Sequence, residues 1–245
     1  MLSAEELERY RRQLNLPNFG EEGQEKLKRA RVLVAGVGGL GSPALLYLTV
    51  AGVGYIQIID SDAVELSNLN RQILHWTPDL DLPKVDSAAE KLRLLNPYVQ
   101  IEAIHKTISQ DNLESLTSGV DLIIDAVDNL ATRYFLNQYA ITKNIPFFHG
   151  AVAGFEGRAL TILPGRSACL MCLYRGVSLT GKPAVLGATP GLIACIQVTE
   201  AIKYLTGAGQ LLLNRLLVYD GLNMKFSEVK VTRDPHCSHC GTPKA

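Results

Sequence analysis

Three glycines, Gly36, Gly38 and Gly41, stand at G-x-G-x-x-G spacing between a short apolar run and a helical pattern. Glycine lets backbone N–H groups approach a phosphate closely, and the N-terminus of a helix carries partial positive charge that favours an anion. Asp60 ends the next predicted strand about 20 residues further on, where an acidic side chain can hold ribose hydroxyls. The pattern predicts a nucleotide site, and by itself it fits NAD at least as well as ATP.

Basic and amide side chains that follow Asp60 bear on the choice of nucleotide. Lys84 opens a predicted helix just after Pro83, and the segment before it contains Ser67, Asn68, Leu69, Asn70 and Arg71. A triphosphate carries more charge than the pyrophosphate of a dinucleotide, so two additional cations near the strand ends favour ATP. Taken singly, Arg71 and Lys84 are each more typical of an ordinary surface charge.

Asp128 and Asn129 follow another predicted strand, Asp121 to Ala126. Ligands of open α/β sheets bind outside the carboxyl ends of the strands, so this pair points to the same crevice. One interpretation is that Asp128 holds a Mg²⁺ ion that bridges the ATP phosphates. The other, equally supported by the residues, is that the pair caps a helix.

Two cysteine pairs have the same spacing, Cys169-x-x-Cys172 and Cys237-x-x-Cys240. Four thiolates suit tetrahedral Zn²⁺, and a site built from pairs so far apart would join the C-terminal tail to the body. The alternative is a disulfide or redox role, which a reducing cytoplasm disfavours. The fifth cysteine, Cys195, lies in a predicted helix and is interpreted as a small buried hydrophobe.

A mixed sheet is predicted to position these groups. Apolar runs alternate with helical patterns from Val32 to Phe148, which is typical of βαβ units. Strands near 158–163, 215–219 and 224–231 follow, with one helix from about Leu192 to Leu205 among them, and the last strand alternates like a half-exposed antiparallel one. We expect an α/β, Rossmann-like sheet, parallel in its N-terminal part and antiparallel in its C-terminal part, with helices on both faces and one domain over residues 1–245.

The composition and the pattern of apolar residues indicate whether nucleic acid or a membrane is a partner. Lys plus Arg and Asp plus Glu each total 24, so the charge balance indicates no nucleic-acid partner. No apolar run approaches the ~20 residues of a membrane span, and residues 1–10 do not resemble a secretory signal. We therefore predict a cytoplasmic protein without a membrane partner.

Several short motifs stand together in the order, and close to the spacings, of one protein family. They are Arg9-Tyr10-x-Arg12-Gln13, Gly36-Val37-Gly38-Gly39-Leu40-Gly41-Ser42, Ser67-Asn68-Leu69-x-Arg71-Gln72, Pro83-Lys84, Asp128-Asn129 and the paired cysteines. In this combination, which spans nearly the whole chain, the sequence resembles the MoeB/ThiF/HesA family, relatives of the ubiquitin-activating enzymes.

The resemblance implies an ATP-dependent adenylyltransferase that acts on the C-terminal glycine carboxylate of a ubiquitin-like sulfur-carrier protein ending in Gly-Gly. Such a carrier serves molybdenum cofactor, thiamine or another sulfur-containing product. The resemblance places Gly39 and the residues from Ser67 to Arg71, with Lys84, around the phosphates, Asp60 on the ribose and Asp128 near Mg²⁺. It also implies a homodimer in which Arg12 reaches the ATP of the partner subunit, and a structural zinc held by the four paired cysteines.

One departure from the family pattern concerns a covalent step. Several relatives carry a cysteine that bonds to the activated carrier in the stretch that corresponds to Ser178 to Pro190, and this stretch contains none here. The stretch is predicted to be a mobile loop. A covalent cysteine intermediate is therefore in doubt, and a separate protein is expected to donate the sulfur.

Three alternatives remain open at this stage. The first keeps adenylation but makes the substrate a short peptide, as in microcin-type relatives. The second is an NAD-binding oxidoreductase, supported only by the glycine turn and Asp60. The third is a silent scaffold for a ubiquitin-like partner, against which the presence of Arg12, Arg71, Lys84 and Asp128 argues.

Overall fold

A computed structural model describes residues 1–177 and 183–241. The strands are β1 (Arg31–Ala35), β2 (Tyr55–Asp60), β3 (Gln100–His105), β4 (Leu122–Asp125), β5 (Phe147–Ala153), β6 (Glu156–Ile162), β7 (Arg215–Asp220) and β8 (Lys225–Lys230). The helices are α1 (Ala4–Leu14), α2 (Gly20–Arg29), α3 (Gly41–Ala51), α4 (Lys84–Leu95), α5 (Leu113–Leu116), α6 (Leu130–Lys143), α7 (Leu170–Tyr174) and α8 (Ala188–Thr206). Two short 3-10 helices, Leu66–Asn68 and Thr77–Asp79, lie between β2 and α4.

The eight strands form one sheet in the order β3-β2-β1-β4-β5-β6-β7-β8. Pairing is parallel from β3 to β5 and antiparallel from β5 to β8, which confirms the predicted mixed sheet. The chain leaves β1 toward β2 and β3, then returns to place β4 on the other side of β1. This reversal opens a crevice beyond the carboxyl ends of β1 and β4, where open α/β sheets bind ligands.

The parallel strands are buried on both faces, as their apolar runs predict. Side chains of Val32 and Val34 pack on one face in a cluster that includes Leu45 and Leu48 of α3. The alternate residue Leu33 packs on the opposite face, in a cluster that includes Leu136 of α6. Two apolar layers therefore hold the sheet between helices and fix the strand ends at the crevice.

Predicted and observed elements agree best where the signals at both ends are strong. The sequence patterns predict helices over Lys84 to Leu95 and near Leu130 to Lys143, and the structure confirms both as α4 and α6. Ser3 and Glu6 stand at capping-box spacing, and the predicted capping box is present at the start of α1. A strand is predicted near Pro146 to Phe148, and the observed β5 continues to Ala153 because residues 149–153 also pair with β6 in an antiparallel ladder. The short helices α5 and α7 were not predicted.

Strand β8 differs from the prediction in its exposure. A half-exposed strand was expected, but all six residues of β8 are exposed in this chain. Among the described strands, β8 is the last of the sheet and pairs with β7 alone, and neither apolar cluster that covers the other strands includes any of its residues. The predicted mobile loop from 178 to 190 lies partly outside the described residues, which resume at 183. None of the helices in the described ranges is both long enough and apolar enough to span a bilayer.

Candidate active site

The two outer glycines of the turn after β1 are required by close backbone packing. Gly36 has φ +95°, and a Cβ atom there would lie 2.6 Å from the carbonyl oxygen of Ala126. A Cβ atom at Gly41 would collide with the carbonyl oxygen of Gly36. Any side chain at either position would therefore disrupt the junction of β1, β4 and α3.

The two middle glycines face more open space. A Cβ atom at Gly38 would meet only the side-chain amide of Gln72, at 3.7 Å. A Cβ atom at Gly39 would meet Pro190 at 3.3 Å and the aliphatic stem of Arg71 at 3.5 Å. The backbone is thus accessible to a ligand, and Arg71 lies directly beside it.

Arg71 is held beside the turn by its own segment. Its Nη1 donates to the Ser67 carbonyl and to Oδ1 of Asn70, both at 2.9 Å. Ser67 and Asn70 are exposed, and Leu69 is half-buried. Asn68 is buried, and its Oδ1 accepts the Glu65 N–H at 3.1 Å. Asn68 therefore shapes the segment that presents Arg71, whereas Ser67 and Asn70 face solvent.

Asp60 connects the end of β2 to the glycine turn. Its Oδ2 accepts the Val37 N–H at 2.7 Å, and its Oδ1 accepts the Asp62 N–H at 2.8 Å. The Lys84 ammonium, whose side chain is 6% exposed, lies 2.8 Å from Oδ2 of Asp62. A second cation thus stands close to the turn, at the first residue of α4.

The structure bears on the two roles that the sequence left open for Asp128 and Asn129, helix capping and Mg²⁺ binding. Asn129 caps α6, because its Oδ1 accepts the Thr132 N–H at 2.9 Å. Asp128 is exposed one residue earlier, and the backbone of the preceding Val127 lies against Gly36. Asp128 therefore follows the carboxyl end of β4, three residues after Asp125.

A buried polar cluster supports the backbone next to Asp128. Arg133 of α6 donates from Nη2 to the carbonyls of Val127, at 2.6 Å, and Gly150, at 3.0 Å. Its Nε lies 2.8 Å from Oδ2 of Asp125, and the same oxygen is 2.7 Å from Nδ1 of His149. Burial lowers the pKa of His149, so the imidazole is neutral at pH 7.

Sequence reasoning missed Arg133 and His75, which both contact backbone carbonyls at the crevice. His75 is buried with Nε2 3.0 Å from the Val37 carbonyl. The signal for Arg133 is Asp125, a carboxylate at the end of the apolar run of β4, because a buried carboxylate requires a partner. No local pattern pointed to His75.

Arg12 is the predicted site residue that the single chain does not bring to the crevice. It is exposed on α1, and neighbouring residues anchor that helix elsewhere. Gln13 donates to the Ala51 carbonyl at 2.9 Å, and the Tyr10 hydroxyl accepts from Asn96 at 2.9 Å. Among the described residues, no contact joins Arg12 to the glycine turn.

The four paired cysteines come together as one cluster. Their sulfur atoms all lie within 4.8 Å of one another, with Cys169 and Cys237 at 3.7 Å and Cys172 and Cys240 at 3.5 Å. Tetrahedral Zn²⁺ with Zn–S bonds of about 2.3 Å requires sulfur separations of about 3.8 Å, so the cluster fits this ion. Burial raises the pKa of Cys240 to about 11, so this thiol is protonated at pH 7 until a metal displaces the proton.

A glycine turn at a helix N-terminus, with Arg71 beside it and Lys84 at the start of α4, is an arrangement that can hold a phosphorylated ligand. Comparison with known proteins agrees, since residues 10–239 match the ThiF family. The chain is 42% identical over 246 residues to the SAMP-activating enzyme E1 of Haloferax volcanii, with 98% of this chain and 91% of that protein covered.

One further relative and one solved structure extend the comparison. The chain is 40% identical to the sulfur carrier protein adenylyltransferase of Thermus thermophilus, with 97% and 92% of the two chains covered. A crystal structure of E. coli MccB with MccA-N7isoASN has the same fold, with a TM-score of 0.87 at 24% identity over 98% of this chain and 76% of that one. The match along nearly the whole sequence confirms the resemblance drawn from the motifs, and the chain belongs to the ThiF family.

Proposed function

We propose that this protein binds ATP and adenylylates the C-terminal glycine carboxylate of a ubiquitin-like sulfur-carrier protein. The observation that carries the proposal is the Arg71 stem beside Gly39, since an arginine next to the glycine turn is the kind of side chain that a bound phosphate would attract. Relatives named as a SAMP-activating enzyme and a sulfur carrier protein adenylyltransferase support it over an NAD-dependent oxidoreductase. The glycine turn would hold the phosphates, and Asp60 the ribose.

The reaction needs charge neutralisation more than proton transfer. A C-terminal carboxylate has a pKa of about 3.5, so it is ionised at pH 7 and attacks the α-phosphorus without a general base. A bond forms between the carboxylate oxygen and the α-phosphorus, and the bond from that phosphorus to the β-phosphate oxygen breaks. Arg71 and Lys84 would offset repulsion between the two anions and stabilise the departing pyrophosphate.

Asp128 would hold Mg²⁺ at the phosphates. A carboxylate is the ligand type that this ion prefers, and Asn129 rather than Asp128 makes the helix cap. When bound, the ion would neutralise phosphate charge. The side chain itself contributes one oxygen at the carboxyl end of β4, and the Arg133 contact to the Val127 carbonyl steadies the backbone that carries it.

We further infer that the working unit is a homodimer in which each ATP site receives Arg12 from the other copy. Arg12 is exposed on a helix anchored by Tyr10 and Gln13, and so it is available to a second chain. The cysteine cluster would hold a structural zinc ion, and a separate protein would donate sulfur to the adenylylated carrier. The cytoplasmic location stays a prediction.

The direct test is ATP-pyrophosphate exchange with purified protein and a carrier that ends in Gly-Gly. Exchange should require the carrier, and Arg71→Ala should reduce it by at least about 100-fold, the loss typical of one transition-state charge partner. Arg29→Ala, at an exposed arginine paired with Glu25 on α2, is the control and should keep wild-type exchange. Absence of exchange with every Gly-Gly carrier tested would refute the proposal.

A short peptide is the second candidate substrate. The observation in its favour is the fold shared with E. coli MccB in a structure that contains MccA-N7isoASN. The chemistry at the α-phosphorus would be the same, since a peptide also ends in a carboxylate. Exchange stimulated by a short peptide, and not by a folded carrier, would favour this candidate.

A further inference from the structure

His75 is a buried imidazole whose two nitrogen atoms both have polar neighbours. It is 3% exposed, with Nε2 3.0 Å from the Val37 carbonyl in the glycine turn. Its Nδ1 lies 2.9 Å from Oγ of Ser87 in α4. The side chain therefore bridges the glycine turn and the helix that begins with Lys84.

The neighbours of His75 select one tautomer of the neutral ring. A carbonyl only accepts a hydrogen bond, so Nε2 must carry the proton that points to Val37. Burial lowers the pKa of His75, and the neutral ring then has a bare Nδ1 that accepts from the Ser87 hydroxyl. The Lys91 ammonium donates to Oγ of Ser87 at 3.1 Å, and the Ser87 hydroxyl also lies 3.0 Å from Oδ2 of Asp79, so its single proton is shared between that carboxylate and Nδ1 of His75. The proton on Nε2 is required by the Val37 carbonyl alone.

The outer part of this network keeps Ser87 in place. Asp79 accepts from the Lys91 ammonium at 2.5 Å and from the Trp76 N–H at 2.6 Å. The carboxylate thus satisfies the buried end of Lys91, whose side chain is 10% exposed. His75 is held rigidly by these groups, which suits a donor that must point in one direction.

The Val37 carbonyl determines where the next N–H points. In a trans peptide the carbonyl of Val37 and the N–H of Gly38 point in opposite directions, and the chain has no cis bond in its described part. The Val37 N–H is already fixed by Asp60 at 2.7 Å. Once His75 fixes the carbonyl as well, the Gly38 N–H must face away from His75.

The space around Gly38 suits a ligand. A Cβ atom there would have only the Gln72 side chain within 4 Å, and none of the hydrogen bonds between described residues uses the Gly38 N–H. Apart from His75, the Val37 carbonyl has a long contact with the Ser42 hydroxyl, at 3.4 Å. Loss of His75 would therefore leave the peptide weakly held, and a flipped peptide would present a carbonyl where the N–H should be.

We propose that His75, as its Nε2–H tautomer, is a positioning residue that aims the Gly38 N–H at a phosphate of the bound nucleotide. The inference rests on the proposed function, because it takes the anion at the turn to be ATP. A donor fixed before the ligand arrives needs no reorganisation when charge accumulates on the phosphate. His75 acts on the ligand only through the Val37–Gly38 peptide.

The test compares His75→Gln with His75→Asn, two amides that differ in reach. The longer Gln side chain can place an N–H near the position of Nε2, whereas Asn cannot. His75→Asn should raise the Kd for ATP and the KM for ATP by about 10-fold to 100-fold, the loss expected for one hydrogen bond to a charged group. His75→Gln should stay within about threefold of wild type, and the KM for the carrier should change in neither variant.

Several results would distinguish failure of the proposed function from failure of this inference alone. Wild-type protein that binds no ATP in calorimetry refutes the proposed function and this inference together. Wild-type binding with equal ATP affinity in folded His75→Asn and His75→Gln overturns the inference alone. Nitrogen NMR of the wild-type protein gives an independent readout that does not depend on the variants folding. It should show a neutral His75 protonated at Nε2, and protonation at Nδ1 would also overturn the inference.

Discussion

Arg133 and Asp125 form an ion pair, with Nε 2.8 Å from Oδ2, that is buried beneath the backbone leading to Asp128. The Asp125 side chain is fully buried, and its Oδ1 has no hydrogen-bond partner among the described residues. The pair is therefore coupled to the crevice through the Val127 carbonyl, to which Arg133 also donates. Arg133 therefore contributes both to the stability of the fold and to the position of the backbone next to Asp128.

Removal of the Arg133 side chain should strongly lower the stability of the protein. Arg133→Ala leaves the Asp125 carboxylate buried beside a neutral imidazole, and we expect a loss of about 3–5 kcal/mol in the free energy of unfolding. Urea denaturation followed by circular dichroism measures it. The double variant Asp125→Asn with Arg133→Met should lose less than Arg133→Ala alone, because no charge is then left unpaired. A loss below about 1 kcal/mol for Arg133→Ala would contradict this account.

The shared active site can be tested by mixing inactive subunits. Arg12→Ala and Arg71→Ala homodimers should each lack exchange activity. When the subunits re-associate at random, half of the dimers contain one copy of each variant. In each of these mixed dimers, one of the two sites has both Arg12 and Arg71 intact. We therefore expect about a quarter of wild-type exchange after mixing, as a two-fold symmetric dimer requires.

Arg11→Ala is the matched control for Arg12, because it removes the adjacent arginine of the same helix. Arg11 pairs with Glu8 on the surface at 3.2 Å, and its loss should leave exchange within about twofold of wild type. A mixture of Arg11→Ala and Arg71→Ala should have no more exchange activity than the Arg11→Ala chains in it have by themselves. If the mixture of Arg12→Ala and Arg71→Ala stays inactive, Arg12 does not act across subunits.

The cysteine cluster predicts one zinc ion per chain. Elemental analysis should find one equivalent in wild-type protein and much less in Cys237→Ser, whereas Cys195→Ser, outside the cluster, should keep it. A strong chelator should lower the Tm of wild-type protein by several degrees, since structural zinc contributes folding free energy. Metal uptake should release protons, because the buried Cys169 and Cys240 thiols have raised pKa values. Full Tm without metal would exclude a structural role.

Stability should fall in mildly acidic solution because of His149. Its pKa is lowered mainly by burial, so the native state excludes a proton that the unfolded state binds below about pH 6.5. The stabilising contribution is present above that pH and is lost as the pH falls. Each such histidine changes the free energy of unfolding by at most about 1.4 kcal/mol per pH unit.

Unfolding free energies at pH 7.5, 6.5 and 5.5 measure this dependence. His149→Asn should reduce the slope between pH 6.5 and 5.5, although it lowers stability overall, and His75 should account for part of the remaining slope for the same reason. An unchanged slope in His149→Asn would show that this residue is protonated in the native state.

Local signals were sufficient for most of the fold. The run from Val32 to Ala35 followed by Gly36 reads as a buried strand entering a turn, and β1 ends at Ala35 in the structure. Because the carboxyl ends of parallel β1, β2 and β4 lie at the same edge of the sheet, the sequence predicts that Gly39, Asp60 and Asp128 lie near one crevice.

The remaining features depend on contacts that leave no local pattern. His75 meets Val37, a residue 38 positions earlier in the chain, and neither periodicity nor a motif predicts that hydrogen bond. In the proposed homodimer, the position of Arg12 relative to the phosphates would depend on the second chain, and no local pattern in the sequence describes that contact. Exposure of β8 follows from its place at the end of the sheet, which the alternation of its residues did not reveal.

The exposed strand β8 has a consequence for solubility. Its outer backbone groups would offer a template for another strand, the usual starting point for aggregation. Lys225 and Lys230 stand at its two ends with Glu228 between them, and an added strand would have to strip water from these charges. We therefore expect these charges to oppose the edge-to-edge growth of copies into fibres, whereas the proposed closed homodimer, in which each copy supplies Arg12 to the other, would not require this edge.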